Sequence, residues 1–143
     1  GSIMAWGALA ADVASLVIPG LTGGGKIVRF VSSSDEILDT AKYADDIFDG
    51  TKQFFGSRKL GRTRHKVYDP IQDTVEDSKK MIDSALTKWN SKLRPDAVDF
   101  ENRIIYELKP YNKRSFKRAV KQTKKYAEIL GDEWTIVIDM YTS

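Results

Sequence analysis

Asp96, Glu107 and Lys109 are the residues of this 143-residue chain whose types and spacing could do chemistry. Two carboxylates held side by side repel each other unless a cation lies between them. Hard carboxylate oxygens favour Mg²⁺ or Mn²⁺ over softer metals. A divalent ion held there would polarise a phosphoryl oxygen and lower the pKa of a bound water. A lysine beside it could orient or deprotonate that water, or stabilise charge developing on phosphorus. The candidate chemistry is metal-assisted hydrolysis of a phosphodiester.

Elements must bring these groups together, and the pattern supplies them. Arg94–Phe100 and Arg103–Pro110 are apolar-rich runs around a polar break at Glu101-Asn102, which predicts a β-hairpin. If Phe100 faces Arg103, Asp96 falls opposite Glu107, and Glu107 and Lys109 share a face. Asp99 is the rival carboxylate. It stands at odd spacing from Asp96 and would replace it only if a bulge shifted the register.

Upstream, Asp69 as N-cap and Pro70 at the first position open a predicted helix. Ile71, Val75, Ser78, Ile82, Ala85, Leu86 and Trp89 form its apolar stripe. Downstream, a helix over 113–130 ends at Gly131. Phe116, Ala119, Val120, Thr123, Ala127 and Leu130 make its buried stripe, with Gln122 and Tyr126 beside it, one turn apart. Lys113, Arg114, Lys117, Arg118, Lys121, Lys124 and Lys125 cover the rest. Trp134–Met140 reads as a buried strand. Helix, two strands, helix and strand imply an α/β (α+β) fold, a small mixed sheet flanked by helices.

Pro95-Asp96 followed by Glu107-x-Lys109 resembles the PD-(D/E)xK nucleases, the restriction-endonuclease-like superfamily. Gln122-Thr-Lys-Lys-Tyr126 is similar to the QxxxY element of its RecB-like branch. Tyr106-Glu-Leu-Lys-Pro110 before a basic helix resembles nuclease domains at the C-termini of bacterial polymorphic toxins. The resemblance covers roughly residues 65–143. It implies Asp96, Glu107 and the Leu108 carbonyl as ligands of Mg²⁺ or Mn²⁺, and Lys109, Gln122 and Tyr126 as further catalytic residues. It also implies an acidic residue from the first helix, with Glu76 preferred over Asp73 and Asp77. The superfamily core has a three-stranded meander between its two main helices. Here two strands are evident, and Ser91–Arg94 is the candidate third. The implied activity is a metal-dependent DNase toxin, delivered into the cytoplasm of a target cell and neutralised by an acidic immunity protein. An RNase of the same fold and a non-catalytic nucleic-acid-binding module are the alternatives.

Composition frames these readings. The net charge is +3, but residues 1–50 carry three basic and seven acidic side chains, whereas residues 51–69 carry six and one. Such asymmetry suits a polyanion-binding face behind an acidic leader. Without cysteine there are no disulfides, thiol catalysis or cysteine zinc sites. Residues 56–66 read as a basic, Gly-containing loop in which Arg62, Arg64, His65 and Lys66 could meet phosphates. Residues 3–19 form an apolar run interrupted by Asp12, short for a bilayer span, and are expected as a buried helix or hydrophobic leader without stable membrane insertion. A membrane-active toxin using this run is a further alternative. Residues 34–49 show helical periodicity. The expected organisation is a helical, pre-toxin-linker-like leader over 1–55 and a nuclease domain over 56–143.

Overall fold

The structure is a computed structural model that describes residues 5–6, 14–19, 25–71, 95–131 and 133–143. The hairpin forms in the expected register. Strand β4 (Ala97–Asp99) runs antiparallel to β5 (Ile104–Pro110), with Ala97 opposite Tyr106, Val98 opposite Ile105 and Asp99 opposite Ile104. Asp99 is spent on the turn. Its carboxylate accepts from the Asn102 backbone N–H at 3.0 Å and the Asn102 side-chain amide at 2.8 Å. Arg103 completes the reversal at φ 55°, in the left-handed region.

Helix α4 (Lys113–Leu130) follows β5 and leads to β6 (Thr135–Tyr141). Asn112 caps its start by accepting from Ser115 N–H at 2.8 Å, and Gly131 ends it at φ 74°. Strand β6 lies parallel to β5, so α4 is the crossover that a parallel pair requires.

The rest of the sheet comes from the N-terminal segment. Strands β1 (Ala5–Trp6), β2 (Ala14–Pro19) and β3 (Lys26–Ser33) extend it in the order β1-β2-β3-β6-β5-β4. The helix expected within 3–19 is therefore corrected to strand at Ala14–Pro19. Val17, Ile18, Ile27, Val28 and Val31 are β-branched, and β2 and β3 satisfy one another as an antiparallel pair. Strand β3 also pairs antiparallel with β6. Residues 34–49 do turn helical, as α1 (Ile37–Thr40), a 3-10 turn (Ala41–Tyr43) and α2 (Ala44–Phe48).

One core runs through both parts of the chain. Val28, Phe30, Ile37, Ile47 and Phe48 are buried with Ile105, Phe116, Val120, Ile136 and Ile138 on the α4 side of the sheet. Phe116 meets Phe30 and Phe48 edge-on at centroid distances of 5.1 and 5.6 Å. The opposite face buries Ile27, Tyr68, Ala97, Tyr106, Leu108, Val137 and Tyr141.

The expected basic loop is instead helix α3 (Arg58–Val67), capped by Ser57, whose hydroxyl accepts from Leu60 N–H at 3.1 Å. Arg and Lys are good helix formers, and the cap outweighs the single glycine at Gly61. Pro70 and Ile71 form a bend. The helix expected to 89, its acidic residues Asp73, Glu76 and Asp77, and the strand expected at 91–94 lie outside the described residues. Among the described residues, no helix is long and apolar enough to cross a membrane.

Candidate active site

The hairpin register builds the site. Val98 and Ile105 face α4 as a cross-strand pair. Glu107 lies two residues beyond Ile105 and faces the same way. Asp96 lies in the bend immediately before β4, next to the last observed pair of Ala97 with Tyr106. Glu107 is 4% exposed. Lys109, next on that face, places Nζ 3.9 Å from Glu107 Oε1 and is partly open to solvent.

Both Asp96 oxygens are held. Oδ2 accepts from Leu108 N–H at 2.6 Å, and Oδ1 lies 3.5 Å from His65 Nε2. The His65 ring is itself fixed, with Nδ1 2.8 Å from the Gly61 carbonyl of the same helix. A carbonyl only accepts, so Nδ1 carries a proton. His65 was expected among phosphate-binding residues of a loop. The helix turns it, half-buried, onto the carboxylate.

The electrostatics follow from burial and contact. Burial, with the Asp96 charge beside it, pushes the Glu107 carboxyl well above the ordinary carboxylate range. Burial also works to raise Asp96, yet hydrogen bonding and charge from His65, with the Leu108 N–H, hold it below its usual value. Hydrogen bonding to Asp96 raises His65 against the opposing effect of burial. The two shifts are opposite: the surroundings favour the protonated form of Glu107 and the ionised form of Asp96.

Three buried side-chain oxygens have no hydrogen-bond partner among the described residues: Glu107 Oε2, Gln122 Oε1 and, away from the Asp96–Glu107 pair, the Tyr111 hydroxyl. Orphaned buried polar atoms are uncommon in native proteins, and an ordered water, an ion or a catalytic role is what such atoms usually serve. Tyr126 belongs to the core stripe itself, buried among the residues around Phe116 and Val120. The sequence placed it beside that stripe.

Arg62 and Lys66 on α3 and Arg114, Lys117, Arg118 and Lys121 on α4 are exposed. Arg64 donates from Nε to the Ser143 carbonyl at 2.9 Å. Lys113 is bound to Asp45 of α2 at 2.6 Å, so one of the expected phosphate contacts already has an anionic partner.

The sequence reading missed one polar cluster. Asp139 of β6 is fully buried and accepts from Arg29 Nε at 2.7 Å, from an Arg29 terminal amine at 2.9 Å and from the Tyr68 hydroxyl at 2.6 Å. A lone acid inside the apolar run Thr135–Tyr141 was its signal, since a buried charge demands a partner. The partner, 110 residues away on β3, was not legible.

Among the described residues, no three His, Cys, Asp or Glu side chains gather into a metal cage. Among the described residues, the carboxylates at this site are Asp96 and Glu107. A mixed sheet whose parallel β5–β6 pair is joined by α4, with Asp96 just before β4 and Glu107-x-Lys109 on β5, is a restriction endonuclease fold. Residues 56–141 match the family described as restriction endonuclease fold toxin 9, and the chain belongs to that family. Neither a curated protein nor a solved structure gives a significant match.

Proposed function

We propose that this toxin domain is a divalent-metal-dependent nuclease, a DNase, that hydrolyses phosphodiester bonds in the cytoplasm of a target cell after delivery. The observation that carries this reading is the Asp96–Glu107 pair with its orphaned Glu107 Oε2 and Lys109 on the same face. Mg²⁺ characteristically takes one or two carboxylates and fills its other positions with water and substrate phosphate. A donor set of two carboxylates fits that habit. In a strand, the N–H and C=O of one residue point to the same side. Leu108 N–H points to Asp96, so its carbonyl is available there as a third oxygen. Bound between them, the ion would supply Lewis acidity and an activated water.

The chain's own groups do the rest. Asp96, pinned by Leu108 and His65, presents a preorganised anion. Lys109 Nζ, between Glu107 and solvent, stands where it can orient the attacking water or steady charge on the phosphorus oxygens. Gln122, with its buried Oε1 unpartnered, is a further polar candidate for the site. The exposed cations of α3 and α4 would hold the polyanion, and an acidic immunity protein would complement them.

The test incubates wild type, Asp96→Ala and Lys109→Ala with plasmid, linear DNA and total RNA, with Mg²⁺, with Mn²⁺ and with chelator. Wild type should cut DNA only with metal. Lys109→Ala should lose roughly 10²–10⁴-fold in rate, and Asp96→Ala should also lose metal binding by calorimetry. Cutting of RNA alone would assign the same site to an RNase. A wild type that cuts neither polymer would leave only a binding module.

A further inference from the structure

We infer that α3 is the track along which one strand of the substrate's sugar-phosphate backbone runs into the site, with Arg58, Arg62 and Lys66 as successive phosphate contacts. This deepens the nuclease reading and rests on it. Two independent observations place the track. His65, on α3, is in contact with Asp96 at 3.5 Å, so the helix is tied directly to the proposed catalytic carboxylate. Arg58, Arg62 and Lys66 recur every fourth residue and are all exposed. At 100° per residue, Arg58 and Arg62 project within about 60° of His65, and Lys66 within about 100°. They therefore form a row along the flank of α3 adjoining the side that meets Asp96. The row spans about 12 Å. At about 3.4 Å of rise per nucleotide, that covers three to four residues of one strand.

Charge bookkeeping separates α3 from its rival, α4. Helix α3 contains no acidic residue, and among the described residues no carboxylate pairs with Arg58, Arg62 or Lys66. Helix α4 begins at Lys113, which is bound to Asp45. Lys117 also helps to lower the Asp45 carboxyl, after the larger effect of Lys113. The start of the α4 cationic face is thus offset by α2, whose first turn carries Asp45 and Asp46, and among the described residues no ion pair ties α4 to Asp96 as His65 ties α3. Contacts of this kind position a duplex or single strand without reading bases.

The experiment measures affinity for a fluorescent mixed-sequence duplex DNA, in chelator, at several salt concentrations, in a Lys109→Ala background. Adding Arg58→Gln, Arg62→Gln and Lys66→Gln together should flatten the slope of log affinity against log salt by about 2.7, or 0.9 per lost phosphate contact. The matched α4 triple, Arg114→Gln, Arg118→Gln and Lys121→Gln, should flatten it by less than about one contact's worth. Circular dichroism and thermal melting should show both triples folded, since all six positions are exposed. With Lys109 restored and metal present, the α3 triple should raise KM and leave kcat in place, the signature of lost uniform binding. An unchanged slope in the α3 triple, or an equal loss in the α4 triple, overturns the assignment. Because binding is read without metal, a protein that cuts nothing would sink the nuclease reading separately and leave the slopes to judge α3.

Discussion

A carboxyl group buried against another carboxylate, as Glu107 is against Asp96, keeps its proton over a wide pH range. The sign of the stability effect follows. From about pH 4–5 upward, the unfolded chain has released the Glu107 proton while the folded protein retains it. The folded state then binds more protons, so metal-free stability falls as pH rises through this window. His65 is also raised and adds to the fall above its ordinary range. Asp96 is lowered, so its contribution is present above the ordinary carboxylate range and is lost at more acid pH. Glu107→Gln removes the strained ionisation and keeps the shape. In chelator, its melting temperature should exceed that of wild type by a margin that widens from pH 5 to pH 8. Parallel curves would show that Glu107 ionises freely. The same variant should lose divalent-ion binding. At this scale the hairpin register and the shared face of Glu107 and Lys109 were legible, because strand periodicity alone sets them. The His65 contact was not, because it depends on how a helix 31 positions earlier docks on the sheet.

Elements were legible where their ends are marked. Helix α4 has Asn112 before it, Gly131 after it and an uninterrupted apolar stripe, and it forms where the pattern placed it. Asn112 does two jobs, accepting from Ser115 N–H and donating from its side-chain amide to the Phe54 carbonyl at 3.0 Å. Asn112→Ala should cost about 1 kcal/mol for the cap and about 1 kcal/mol more for the buried amide bond. Asn112→Asp keeps the cap and should lose only the second part. Urea midpoints at constant m-value would separate the two, and equal losses would refute the division. Helix α3 was misread because Gly61 within a basic cluster looks like a loop. Its glycine answers a packing need instead, since a Cβ there would sit 3.3 Å from the Tyr141 hydroxyl. Ser57, the cap that marks the helix start, was the overlooked sign.

At the scale of the whole molecule, the N-terminal segment behaves as part of the sheet. Pairings between β3 and β6 span more than 100 residues and leave no local trace, so the appended strands could not be read from periodicity. The Asp139–Arg29 ion pair fastens this junction, with Tyr68 closing it. Asp139→Ala would leave the part-buried Arg29 guanidinium without its anion and the Tyr68 hydroxyl without its acceptor, and should cost about 2–4 kcal/mol by urea denaturation. A loss below about 1 kcal/mol would mean that water replaces the carboxylate freely. The family match begins at residue 56, yet Val28, Phe30, Ile47 and Phe48 lie in the shared core. A fragment of residues 56–143 should therefore show no cooperative thermal transition by circular dichroism, and a sharp one would establish an autonomous domain.

The position of β6 bears on synthesis. It is the final strand in the described chain, yet it is seated between β3 and β5. During translation the earlier strands emerge as two half-sheets with nothing to bridge them. The keystone reaches its slot only when residues through Tyr141 have cleared the ribosome. A chain stalled or clipped before that point lacks the strand that joins β3 to β5, and with it the continuous sheet that supports Glu107 and Lys109.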